Sequence, residues 1–130
     1  MVFDFQRNHL RIGNVLKSCE EYILVAGIPE QGNIQINGYP HIHSRPNSAY
    51  GIQPVLITTE ILTQCGFTET GLAFEESRHI PGLFILEENG RWLMRLNNMY
   101  ISKKPMKYLH QLQNLYFALT ENEIEFRPEG

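Results

Sequence analysis

The stretch "LFILEENGRWLMRL", residues 83–96, decides how this chain folds. Two runs of alternating character flank Asn89-Gly90, a dipeptide suited to a two-residue type I′ turn because both turn positions need positive φ. That turn fixes the register: Glu88 opposite Arg91, Glu87 opposite Trp92, Ile85 opposite Met94 and Leu83 opposite Leu96. One face is then Leu83, Ile85, Trp92, Met94 and Leu96, a core face. The other is Phe84, Leu86, Leu93, Arg95 and the Glu88–Arg91 pair, a mixed face that is either partly covered or a contact surface.

Working towards the N-terminus, "TTEILTQCGF" (58–67) reads as a short helix. Thr58 is the expected N-cap and Glu60 suits the positive end of the helix dipole. Gly66 suits a left-handed C-terminal cap, with Phe67 folding back over the end. Residues 52–57 form an extended run that Pro54 confines to an edge or a strand end. "YPHIHSRPNSAYG" (39–51) is a long loop. "NIQING" (33–38) alternates with Ile34 and Ile36 inward. "PEQG" (29–32) is a turn, "EEYILVAGI" (20–28) a strongly apolar strand, and "LRIGNVLK" (10–17) a first strand interrupted at Gly13 by a bulge or bend.

Towards the C-terminus, 97–104 carry another short strand and Pro105 opens a final helix. In "KYLHQLQNLYFALT" (107–120), Met106, Leu109, Leu112, Leu115, Tyr116 and Leu119 recur at steps of three and four, giving one apolar stripe bordered by Tyr108. Lys107, Gln111, Asn114 and Ala118 fall opposite, with His110 at the edge. "ENEIEF" (121–126) alternates again and reads as a closing strand. The fold class is therefore α+β: a small, strongly curved sheet or open barrel in the N-terminal half, a short central helix, then hairpin, long amphipathic helix and closing strand. It is read as a single domain over 1–130, with 68–80 as the place where two subdomains would meet.

Composition narrows the chemistry. The chain has 130 residues, 42% apolar and 19% charged, enough for a core, and its formal net charge of −3 lacks the overall basic field of a general nucleic-acid binder. Asp4 is the only aspartate beside thirteen glutamates, which weighs against aspartate-rich two-metal hydrolysis and phosphoryl transfer. Cys19 and Cys65 make no zinc spacing and are expected as buried free thiols in a reducing cytoplasm. No apolar run has the length of a signal peptide or a membrane span. A soluble, cytoplasmic protein is expected.

Candidate sites are few. His41 and His43 form an HxH, but no third metal ligand stands at a motif spacing. His110 would need an orienting partner to act as a base, and Asn114, four residues on, is the candidate. Cys65 lies at a helix end, where the dipole does not lower a thiol pKa. No nucleophile elbow, phosphate loop, dinucleotide fingerprint or HExxH is present. Catalytic residues, metal ligands and cofactors are accordingly expected to be none. The charge layout says more. No acid stands between Asn89 and Thr120, whereas Arg91, Arg95, Lys103, Lys104 and Lys107 interleave with Trp92, Tyr100, Tyr108 and Tyr116. Basic residues beside aromatic faces suit an anionic partner, but the glutamates on both flanks can fold back and make the surface an ordinary mixed one.

Three stretches in order, "LRIGN" (10–14), "IQPVLITTEILTQCGF" (52–67) and "KYLHQLQNLYFALTENEIEF" (107–126), resemble a family of small proteins of uncharacterised function encoded in prophages and mobile elements of Bacteroidetes-type bacteria. Residues 110–120 match the closing motif throughout, and 39–50 and 68–82 look like the variable parts. The pattern has glycine after that threonine, where this chain has Glu121, and favours proline where Val55 stands. The resemblance implies a phage or mobile-element context and no activity. The expected function is a non-enzymatic module that binds a protein partner, with no membrane role. The alternative is a nucleic-acid-binding protein using the basic-aromatic patch at 91–107. The expected binding residues are Arg91, Arg95, Lys103, Lys104, Lys107, His110, Gln111 and Asn114. Oligomeric state is left open.

Overall fold

The structure is a computed structural model that describes residues 9–18, 21–30, 35–38, 52–76, 80–101 and 104–128. Cys19, the 29–32 turn beyond Glu30, Ile34, the 39–51 loop with His41 and His43, and Lys103 lie outside the described residues. The fold is α+β: the described residues form two open antiparallel sheets and two helices, with no closed barrel among them. The chain divides into two compact units: Met1–Leu56 with Tyr108–Asn114, and Ile57–Lys107 with Leu115–Gly130. Residues 68–76 lie within the second unit.

The first unit holds strands β1 (Val15–Ser18), β2 (Glu21–Gly27), β3 (Gln35–Gly38) and β4 (Ile52–Pro54), in the spatial order β3-β2-β1-β4. Pro54 thus sits on an edge strand, where its missing N–H costs no ladder bond. The registers Leu16↔Ile23 and Val25↔Ile36 put Leu16, Ile23, Val25 and Ile36 on one face, and Leu10 and Ile52 join them in the core. Each such side chain stabilises the unit by about 1.5–3 kcal/mol before entropy is subtracted. The first strand starts at Val15, later than its sequence implies. Ahead of it the Gly13 N–H donates to Val25 O, and the Val25 N–H donates to Asn14 O, both at 2.9 Å. Two residues thereby share one partner, the geometry of a bulge, with Gly13 at φ 101°.

The second unit holds helix α1 (Thr59–Gln64) and strands β5 (Thr68–Thr70), β6 (Ala73–Glu76), β7 (Leu83–Glu88), β8 (Arg91–Leu96) and β9 (Met99–Tyr100), the strands lying in sequence order in one sheet. The β7–β8 pairs are Glu88↔Arg91, Glu87↔Trp92, Ile85↔Met94 and Leu83↔Leu96, as the turn dictates, and Asn89 and Gly90 have φ of 54° and 78°. Leu83, Ile85, Trp92 and Met94 are buried and Leu96 is half-buried. The Trp92 indole packs edge-on against Phe74, with centroids 6.1 Å apart, and its Nε1–H donates to Ile57 O at 3.1 Å. In α1 the Thr58 hydroxyl accepts the Ile61 N–H at 3.1 Å. The paired bonds Phe67 N–Leu62 O and Gly66 N–Thr63 O close the C-terminus as a Schellman motif around Gly66.

Helix α2 (Leu109–Thr120) supplies residues to both units. It starts four residues after Pro105 rather than at it. Met106 is committed to Trp92 by two backbone bonds (3.0 and 2.6 Å), and Tyr108 bridges Leu56, so this segment is extended. The helix is opened instead by Gln111, whose Oε1 turns back to accept the Tyr108 N–H at 2.9 Å, half of a capping box. It closes at Glu121, where φ is 59° and the N–H donates to Phe117 O at 2.8 Å. The expected closing strand does not form. Ile124 and Phe126 are buried in alternation with exposed neighbours, but this segment joins no sheet. The Arg127 N–H donates to Gln64 O, and Gln64 Nε2 donates to Pro128 O.

Candidate interaction surface

The second unit's sheet has a buried face and an outer one. Cross-strand pairing assigns Phe84, Leu86, Leu93 and Arg95 to the outer face, together with Glu75 opposite Phe84, Ala73 opposite Leu86, Tyr100 opposite Arg95, and the exposed Glu88–Arg91 pair. Phe84, Leu86, Leu93 and Arg95 are all half-buried. The Arg95 guanidinium lies over the Phe84 ring, 5.2 Å from its centroid, a cation–π contact. Its Nε is buried and makes no hydrogen bond. Tyr100, 54% exposed, donates its hydroxyl to Glu88 at 3.2 Å. The surface is therefore apolar at its centre and carries both signs of charge.

The basic candidates divide. Arg91 and Arg95 project from the same face of β8. Lys104 and Lys107 are exposed, Lys107 following the buried Met106, and Lys103 lies outside the described residues. Glu75 and Glu88 stand on the same face as the two arginines. Acids thus interrupt the cationic run that the linear sequence displays, because β6 and β7 bring them back beside β8.

His110, Gln111 and Asn114 belong to the first unit and are occupied internally. His110 does not bond Asn114. It is 1% exposed, and its ring stacks on Tyr108 at 5.8 Å and 12°. Burial first, and then the nearby His9 charge, push its pKa down to about 4, so at neutral pH it is an uncharged ring. Asn114 Oδ1 accepts from Asn14 Nδ2 (2.8 Å) and Arg11 Nε (3.1 Å), while its Nδ2 donates to His9 O (2.9 Å). The amide row expected to face outward is turned inward, apart from exposed Gln111, because it satisfies the irregular backbone around Gly13.

Gln113, which the stripe reading left without a place, is central here. It is 1% exposed, its Oε1 accepts the Val15 N–H at 2.8 Å, and its Nε2 donates to Gly13 O at 3.2 Å. Asn14 is fully buried and accepts the Arg11 N–H on its Oδ1. The available signal was periodicity: Leu109, Gln113 and Tyr116 follow steps of four and three, so an amide stands on the line of the buried face. Such an amide must be hydrogen-bonded. Segments 10–14 and 110–114, distant in sequence, meet in this cluster.

Cys65 is buried and free, and burial pushes its thiol up to about 12, far from a nucleophile's range. Among the described residues, no three His, Cys, Asp or Glu side chains converge to hold a metal. No described helix is long and apolar enough to cross a membrane. Comparison with family models, curated proteins and solved structures finds no match.

Proposed function

We propose that the protein is a non-enzymatic binding module that contacts a protein partner through the outer face of its five-stranded sheet. The observation that carries this reading is the half-exposed Phe84–Leu86–Leu93 centre with Arg95 stacked on it and Tyr100 at its border. Aromatic and arginine side chains around an apolar centre are the composition of interface hot spots. The resemblance supports a phage or mobile-element setting, and the buried free thiol of Cys65 suits a reducing cytoplasm. The test is affinity capture from a bacterial lysate with three baits: wild type, Leu93→Glu on the face, and Leu72→Ser, an exposed residue at the β5–β6 turn. Proteins held by wild type and Leu72→Ser but lost with Leu93→Glu are the expected result. The same proteins on all three baits would remove this face as the site.

The second reading, nucleic-acid binding, draws on exposed Arg91, Lys104 and Lys107 and on the exposed ring of Tyr100. It requires affinity that falls steeply with salt. A gel-shift series in which Lys104→Glu/Lys107→Glu behaves as wild type would eliminate it.

A further inference from the structure

The outer face has an internal symmetry that identifies a partner. Cross-strand pairing makes a row Thr68–Glu75–Phe84–Arg95–Tyr100 running from β5 to β9, and a second row Thr70–Ala73–Leu86–Leu93. In the first row Phe84 is central, with Glu75 one strand away on one side and Arg95 one strand away on the other, each at about 5 Å. Among the described residues no ion pair reaches either charge. In the second row Leu86 is central, with small Ala73 on one side and large Leu93 on the other.

We infer that this face pairs with a second copy of itself about a two-fold axis lying along β7, so that Glu75 of each chain meets Arg95 of the other. Such an axis exchanges the two sides of β7 and leaves position along the strand unchanged. It sets Phe84 on Phe84, Leu86 on Leu86 and Leu93 over Ala73, which is small and nearly covered by its own chain. Glu75 and Arg95 then coincide twice, as an isologous interface requires, while Glu88, at the hairpin end of the same strand, meets Glu88 with Arg91 of each chain beside it. An axis across the strands instead brings together rows whose charges do not match. Two sheets packed with strands nearly aligned are an ordinary arrangement. A strongly acidic or basic partner would leave either Glu75 or Arg95 unmatched, whereas a second copy pairs these two. The proposal rests on reading the outer face as a contact surface and adds the identity of its occupant. The central strands and five-strand width give a patch of roughly 20 by 20 Å, below the usual size of a stable dimer interface, so association is weak and needs high concentration.

The test is sedimentation velocity on the full chain over a concentration series reaching the millimolar range. Wild type is expected to move from monomer towards dimer. Glu75→Arg and Arg95→Glu alone are each expected to weaken association at least tenfold, and the double exchange to restore it. Cysteine cross-linking in a Cys19→Ser background checks the axis independently: Leu86→Cys joins to itself under mild oxidation, whereas Leu93→Cys, facing Ala73, does not. A chain that stays monomeric throughout, or dimerises without regard to positions 75 and 95, overturns the inference. If charge variants unfold, absence of the Leu86→Cys cross-link overturns it equally. None of these failures bears on capture of another protein by the face, which the lysate experiment reads separately.

Discussion

Gln113 accepts the Val15 N–H through Oε1 and donates through Nε2 to Gly13 O, so one helical side chain completes the backbone bonding that the Gly13 bulge breaks. Replacing Gln113 with Leu keeps comparable volume but leaves a buried N–H and a carbonyl without this partner. A loss of about 1–3 kcal/mol is expected. Urea unfolding followed by far-UV circular dichroism measures it, and a change below ~0.5 kcal/mol would mean that water replaces the amide at no cost.

Leu112, fully buried in the same helix, makes the apolar counterpart. Leu112→Ala is expected to cost about 2–5 kcal/mol through lost burial and the cavity left behind. A cost under ~1 kcal/mol in the same assay would contradict its burial.

Glu121 ends α2 with a left-handed backbone, a conformation that costs a residue with a Cβ about 1–2 kcal/mol. Glu121→Gly should therefore raise stability by about 0.5–1 kcal/mol after the extra freedom of glycine in the unfolded chain is subtracted. Glu121→Ala should give no comparable gain. Thermal and urea unfolding of the three proteins compare these directly.

His110 makes stability depend on pH with a definite sign. Its folded pKa, about 4, lies below its ordinary value of 6.5. Between those two values the unfolded chain binds a proton that the folded chain refuses, so stability is full above pH 6.5 and declines as pH falls towards 4. The contribution is on the order of 3 kcal/mol. Carboxylates titrate at the lower end of this window, so the informative quantity is the difference between wild type and His110→Leu. A flatter profile for the variant between pH 6.5 and 5 is expected, and parallel profiles would assign the slope to other groups.

Cys65 should resist alkylation while the protein is folded. Its thiol is buried and its pKa is about 12, so the reactive thiolate is scarce and shielded. In a Cys19→Ser background, labelling by iodoacetamide at pH 8 should be slow without denaturant and immediate in it. Rapid labelling of the native protein would show a local opening at the end of α1.

The sequence was most legible where short-range rules act alone. Asn89-Gly90 sets a register within the hairpin itself, and Thr58, Gly66 and Phe67 mark the ends of α1 by groups only a few residues apart. It was least legible where distant backbone competes. Pro105 has the signature of a helix start, but Met106 gains two bonds to Trp92 and stays extended. Ile124 and Phe126 alternate like a strand, yet burial alone produces that pattern without a ladder. The outer face was half legible. Its β7 and β8 members follow from the hairpin, but Glu75 joins Phe84 only through the pairing of β6 with β7. Linear charge counting left open whether flanking glutamates fold back beside the arginines, and Glu88 stands opposite Arg91.

Trp92 is the chain's single tryptophan, and it lies wholly in the second unit, buried against Phe74 with its indole N–H held by Ile57. Intrinsic fluorescence excited at the red edge is consequently a one-site signal for that unit, blind to the sheet built from β1 to β4. Far-UV dichroism averages over both. Coincident denaturation curves from the two methods would mark a cooperative chain, and separated curves would resolve the unfolding of one unit from the other without any added label.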